Sequence, residues 1–106
     1  MQSKVLKEIE RNLVTNFLDV IILAEIKARG SIGGYDLMDL VYKKSGILIS
    51  PGTAYAVLYS IERKDLVKGA YVQKKRAYTL TDKGMETIDT ILKSKEEIQR
   101  FMGNLF

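Results

Sequence analysis

A mainly α-helical single domain with one small β-hairpin is the fold class this sequence predicts. Helical periodicity covers most of the chain, two short strand-like runs lie within residues 66–80, and a length of 106 residues suits one modest core. With 46% hydrophobic and 28% charged residues and no low-complexity stretch, the chain is expected to fold.

From Lys4 to about Ala28, the residues Val5, Ile9, Leu13, Phe17, Val20 and Ala24 recur at three- and four-residue steps. This segment, 1–29, reads as one long helix or as two joined ones, with Thr15-Asn16 as the place for a restart. Beyond Phe17, apolar groups at Leu18, Ile21, Ile22, Leu23 and Ile26 surround the helix almost completely, so it is expected to be buried on several sides. A second subunit could cover one of them, at Phe17 and Ile21. Arg29-Gly30 ends the helix, and Ser31-Ile32-Gly33-Gly34 suffices for a turn or one edge strand.

The next helix, 34–46, is expected to start near Gly34-Tyr35, with Leu37, Leu40 and Val41 inward and a glycine stop at Gly46. Ile47-Leu48-Ile49 then leads into residues 50–64. Ser50 suits an N-cap and Pro51 the first helical position, where its missing N–H costs nothing. Ala54, Leu58 and Ile61 form the apolar stripe of this helix. Thr53, Ala56, Tyr59, Ser60 and Arg63 fall on the opposite side, and Tyr55 on a flank. Two helices joined by a short connector form a helix-turn-helix, in which the second helix enters the DNA major groove.

Leu66–Val72 and Ala77–Leu80 read as strands around a basic tip, Gln73-Lys74-Lys75-Arg76. A hairpin directly after a helix-turn-helix is a wing, and a basic tip there can lie on phosphates or in the minor groove. The last segment, 81–103, reads as one helix capped by Thr81. Its Met85, Ile88, Leu92, Ile98 and Met102 approximate a heptad, which fits either a dimer seam or packing on the chain's own first helix. The apolar ending Phe101–Phe106 is expected to be docked, between subunits.

Charge narrows the function. The net +4 lies entirely within residues 50–80, where Arg63, Lys64, Lys68, Lys74, Lys75 and Arg76 outnumber Glu62 and Asp65. A basic excess confined to one segment is the footprint of a polyanion partner. With 0 cysteines and 0 histidines, disulfides, thiol nucleophiles and the usual general base are excluded. No enzyme activity, metal or cofactor is expected. The apolar run Val20–Ala24 is too short for a membrane span, and Met1-Gln2-Ser3-Lys4 lacks a secretory pattern, so a cytoplasmic protein is expected.

Gly34-Tyr35-Asp36-Leu37, Ser50-Pro51-Gly52-Thr53-Ala54-Tyr55 and Tyr78-Thr79-Leu80-Thr81-Asp82-Lys83-Gly84, in that order, resemble three motifs of the PadR family of winged-helix transcriptional regulators. Gly34-Tyr35-Asp36-Leu37 resembles that family's Gly-Tyr-x-Leu helix start, and Ser50-Pro51-Gly52-Thr53-Ala54-Tyr55 its Ser-Pro-Gly-Thr-x-Tyr opening of the recognition helix. Tyr78-Thr79-Leu80-Thr81-Asp82-Lys83-Gly84 resembles its Tyr-x-Leu-Thr-x-x-Gly joint. The chain is similar to the shorter subgroup, with a single C-terminal helix. The resemblance implies a homodimer whose first and last helices pack on the partner, and a pseudopalindromic operator. It also implies DNA contact by Tyr35, Ser50, Thr53, Tyr55 and the wing residues Lys74, Lys75 and Arg76; Tyr59 and Arg63 join them on helical geometry. Arg63 is expected to read a base or hold a phosphate. Some relatives stack planar drugs on tryptophans, of which this chain has 0, so drug binding is not carried over.

The expected function is therefore that of a homodimeric, sequence-specific regulator on double-stranded DNA. A repressor is favoured because so small a chain leaves no room for an activation domain. A small apolar effector at the dimer interface fits this scheme, although no residue names one. The alternative is a winged-helix protein–protein module whose basic face binds acidic proteins.

Overall fold

The computed structural model describes residues 3–106. Met1 and Gln2, which open both the segment expected to be helical and the stretch read for a secretory pattern, lie outside the described residues. Helix α1 (Lys4–Asn16) begins at Ser3, whose hydroxyl accepts the Leu6 amide at 3.0 Å. Helix α2 (Leu18–Arg29) follows after a bend at Phe17 rather than a capped restart. The Phe17 amide donates to the Leu13 carbonyl and the Ile21 amide to the Phe17 carbonyl, both at 3.0 Å, so Phe17 closes α1 and opens α2. Asn16 turns its side chain back to the Asn12 carbonyl, 2.8 Å away.

Helix α2 is the spine of the molecule. Leu18, Ile22, Leu23 and Ile26 are buried along it, against the sheet and two later helices. Strand β1 (Ile32–Gly33) follows, then helix α3 (Leu37–Ser45). The expected start of α3 near Gly34-Tyr35 was three residues early. Gly34 donates its amide to the Arg76 carbonyl at 3.2 Å and Asp36 donates to the Gly33 carbonyl at 3.0 Å, so these residues form a turn held against the sheet.

Helix α4 (Pro51–Arg63) has the expected start: the Thr53 amide donates to the Ser50 hydroxyl at 3.1 Å, with Pro51 in the first position. Its end is a Schellman motif built without glycine. Asp65 takes the left-handed conformation (φ 62°), Leu66 donates to the Ile61 carbonyl at 2.9 Å, and Asp65 donates to Glu62 at 3.0 Å. Strands β2 (Val67–Val72) and β3 (Lys75–Leu80) form the hairpin, and β1 pairs antiparallel with β3 to give the order β1-β3-β2. The tip is shorter than expected. Val72 pairs with Lys75, so only Gln73 and Lys74 turn, at φ 51° and 69°, while Lys75 and Arg76 belong to β3.

The expected single C-terminal helix is two, α5 (Asp82–Lys93) and α6 (Lys95–Leu105). At Ser94 the hydroxyl donates back to the Thr90 carbonyl at 2.9 Å and the amide bonds Ile91 rather than Thr90, which bends the chain. Gly84 in the first turn of α5 is a packing necessity. A Cβ there would fall 1.8 Å from the Leu66 carbonyl oxygen. Thr81 closes the same joint by donating its hydroxyl to the Asp65 carbonyl at 2.6 Å and its amide to Leu66 at 3.1 Å.

Candidate nucleic-acid interface

Ala54, Leu58 and Ile61 are buried, so α4 is held by the stripe read from its periodicity. That orientation leaves Ala56, Tyr59 and Arg63 exposed on the outer face, with Thr53 and Ser60 half-buried beside them. The Arg63 guanidinium lies 5.0 Å from the centre of the Tyr59 ring, close enough for a cation–π contact that presents both groups together. At the amino end, the Ser50 hydroxyl accepts the Thr53 amide and donates to the Thr53 hydroxyl at 2.9 Å. Both hydroxyls serve the cap first. A Cβ on Gly52 would meet nothing nearer than Ser50 Oγ at 4.0 Å, so this first turn is open to a close backbone approach.

Tyr55 has two jobs to divide. It is half-exposed, yet its ring packs so closely on Gly34 that a Cβ there would lie 3.2 Å from a ring carbon. The same contact brings the turn before α3 beside α4 and leaves the next residue, Tyr35, 79% exposed. Leu48, in the connector between the two helices, is also exposed, where the expected pattern only led it into the cap.

On the wing, the register places Lys68 and Lys75 on one face and Lys74 at the tip, all exposed. Arg76 is on the other face. Its Nη2 donates to Glu62 Oε2 at 2.5 Å, and its Nε donates to the Tyr78 hydroxyl at 3.2 Å. The Tyr78 hydroxyl and the Glu62 charge raise the guanidinium's pKa above its ordinary value. Arg76 is therefore a paired cation beneath the wing, not the free tip cation expected from its place in the basic run. Glu62 was legible only as a negative charge, although the i, i+2 relation of Arg76 and Tyr78 on a strand could have shown that they share a face.

The remaining site residues separate into two groups. Phe17, Ile21, Leu92, Ile98 and Met102 line an open apolar groove of about 1240 Å³ between α2 and the two last helices. Ile88, counted with them in the heptad, is 0% exposed and belongs to the core of the single chain. Met85, from the same heptad, is exposed outside the groove lining. The ending expected to be docked is uncovered in the single chain, with Phe101 and Leu105 exposed and Phe106 97% exposed. Among the described residues no group of acidic side chains is placed to hold a metal ion, and no helix is long and apolar enough to cross a membrane.

Solved structures of similar shape are winged-helix proteins. A PadR-like transcriptional regulator from Bacillus cereus is 24% identical, with a TM-score of 0.76 over 89% of this chain and 95% of that one. A winged-helix DNA-binding protein from STIV is 22% identical, with a TM-score of 0.67 over 74% of this chain and 87% of that one. Bacillus subtilis PadR, solved in complex with operator DNA, is 23% identical, with a TM-score of 0.63 over 71% of this chain and 46% of that one. No curated protein matches the sequence. The fold is thus a winged helix-turn-helix, and the PadR-like transcriptional regulator family model matches residues 22–90, from α2 into α5. With well over half of its length matched, this chain belongs to the PadR-like family of transcriptional regulators.

Proposed function

We propose that the protein acts as a homodimeric repressor that binds a pseudopalindromic site on double-stranded DNA, with α4 in the major groove and the wing on the flanking backbone. The observation that carries this reading is the outer face of α4. A stripe of three buried residues turns Tyr59 and Arg63 outward together, while the exposed Lys68, Lys74 and Lys75 extend the same basic segment along the wing. In this scheme the lysines supply salt-dependent affinity by releasing counterions, and Arg63 and Tyr59 meet base edges. Ser50, Thr53, Tyr55 and Tyr35 set the register on the phosphates. The apolar groove and the exposed ends of α1 and α6 supply the surface for the partner subunit, and promoter occlusion requires binding alone.

Hydroxyl-radical footprinting on the DNA upstream of the chain's own gene tests this arrangement. The expected result is two protected patches on one face of the duplex, with centres about 34 Å apart. A single patch, or none, contradicts the dimeric operator model. Arg63→Ala is expected to weaken binding by about 1–3 kcal/mol if Arg63 reads a base, and undiminished binding removes it from that role.

A further inference from the structure

Arg76 stands out among the basic residues of the wing because its charge is already used. The guanidinium crosses β2 at Gly69, where a Cβ would lie within 2.6 Å of it, and reaches the carboxylate of Glu62 on α4. Glu62 Oε2 also accepts the Gly69 amide at 3.3 Å, so one carboxylate oxygen holds both strands of the hairpin. The rings of Tyr71 and Tyr78 lie 5.6 and 5.5 Å from the guanidinium carbon. Gly69 is the residue in β2 that lets the link pass. The pair is about one-third exposed on each side, 35% for Arg76 and 30% for Glu62. A pair so wet adds little to global stability, so its main effect is on where the wing sits.

We propose that Glu62 and Arg76 form a latch that holds the wing in register with α4, which makes Arg76 a positioning residue for DNA rather than a phosphate contact. This rests on the DNA-binding reading above. Two lines of contact then fix the sheet to the recognition helix. Tyr55 packs on Gly34, which Tyr78 also flanks, near its start, and Glu62 binds Arg76 and Gly69 near its end. Lys74 and Lys75 lie beyond the second line, at the free end of the hairpin. With the latch closed they meet the duplex already oriented, and the cost of ordering the wing is met before binding.

The two roles for Arg76 predict opposite signs. Glu62→Gln removes a negative charge near DNA and frees the guanidinium, so a phosphate-contacting Arg76 would make this variant bind more tightly. A latch makes it bind about three- to tenfold more weakly. Affinities are measured by fluorescence anisotropy on duplex from upstream of the chain's own gene, across a salt series. Arg76→Gln is expected to weaken binding by a similar factor with an unchanged salt slope, whereas loss of a phosphate contact lowers the slope by about 0.9. The double variant is expected to bind no more weakly than either single one. In the free protein, Glu62→Gln is expected to speed amide exchange in residues 69–76 while the thermal midpoint stays in place. Tighter or unchanged binding by Glu62→Gln, or a reduced slope for Arg76→Gln, overturns the latch. If the parent protein binds no duplex, the DNA reading fails instead, and wing exchange in Glu62→Gln still decides whether the pair holds the hairpin.

Discussion

The two ends of the molecule solve the same packing problem differently. Between α4 and the wing, side chains that could reach outward are tied to one another: Ser50 to Thr53, Arg63 to Tyr59, Arg76 to Glu62 and Tyr78. At the outer ends of α1 and α6, apolar side chains line up at helical spacing and stand exposed in the single chain, as at Val5, Ile9, Phe101 and Leu105. A surface finished within one chain is suited to a rigid, highly charged ligand, because preorganised groups lose little entropy on contact. An unfinished apolar surface is completed by burial against another apolar surface. The difference is what the proposed roles require, with α4 and the wing on DNA and the terminal helices on a second copy.

The largest effect is expected where the two regions join. Gly84→Ala places a methyl group against the Leu66 carbonyl, at a joint where backbone meets backbone, and the cost is expected to be about 3 kcal/mol or more. Thermal unfolding by circular dichroism should show a much lower midpoint. A midpoint equal to the parent's would mean that α5 can shift away from Leu66 freely, and that the two regions are less firmly joined than the geometry indicates.

Next in size is a pair of substitutions that separates core from interface along the last two helices. Ile88→Ala empties a fully buried site and is expected to cost about 2–5 kcal/mol of monomer stability. Phe101→Ser removes an exposed apolar group, and it is expected to leave each protomer folded while weakening the dimer by about 2 kcal/mol per side chain buried in it. Circular dichroism reads the first effect and sedimentation equilibrium the second. A Phe101→Ser protein that dimerises as tightly as the parent would move the interface away from α6.

These substitutions also mark how far the sequence could be read. Ser50 and Pro51 announce the start of α4 because a cap is a local event, and Ala54, Leu58 and Ile61 announce its buried face because a period is local too. Periodicity says which residues share a face; it does not say what covers that face. That is why the heptad leaves Ile88 open to a dimer seam or to the chain's own core, and only the fold shows it fully buried within the single chain. The Glu62–Arg76 pair spans fourteen positions that only the folded hairpin brings together, so the basic run Lys74-Lys75-Arg76 looked uniform. Ser94 followed by Glu97 fits a helix-start pattern, and the bend there could have been read from it. The role of Gly84 in its motif required knowing that Leu66 lies above it.

The smallest effect concerns pH and falls at an ion cluster on the surface between α2 and α3. Glu25 on α2 accepts Lys44 from α3 at 2.8 Å and Arg29 at 3.1 Å, and the Lys44 hydrogen bond, with help from Arg29, lowers its pKa below the ordinary 4.5. A depressed carboxylate pKa contributes stability that is complete above its unfolded value and is lost as pH falls through its lower folded value. With both cations well exposed, the loss is expected to stay below about 1 kcal/mol. Chemical denaturation of Glu25→Gln should therefore show a weaker dependence on pH than the parent below about pH 5. Equal slopes for the two proteins would mean that this cluster adds nothing to holding α3 on α2.

The closed, basic region is expected to act as a DNA-binding surface with sequence preference. Fluorescence-anisotropy titration of the parent protein tests it most directly, using duplex from upstream of its own gene and a scrambled duplex, each at two salt concentrations. Preference for the upstream duplex on the order of a thousandfold, with affinity falling steeply as salt rises, is the predicted result. Absence of binding to either duplex at low salt would contradict it, and the same basic face would then have to be tested against acidic proteins.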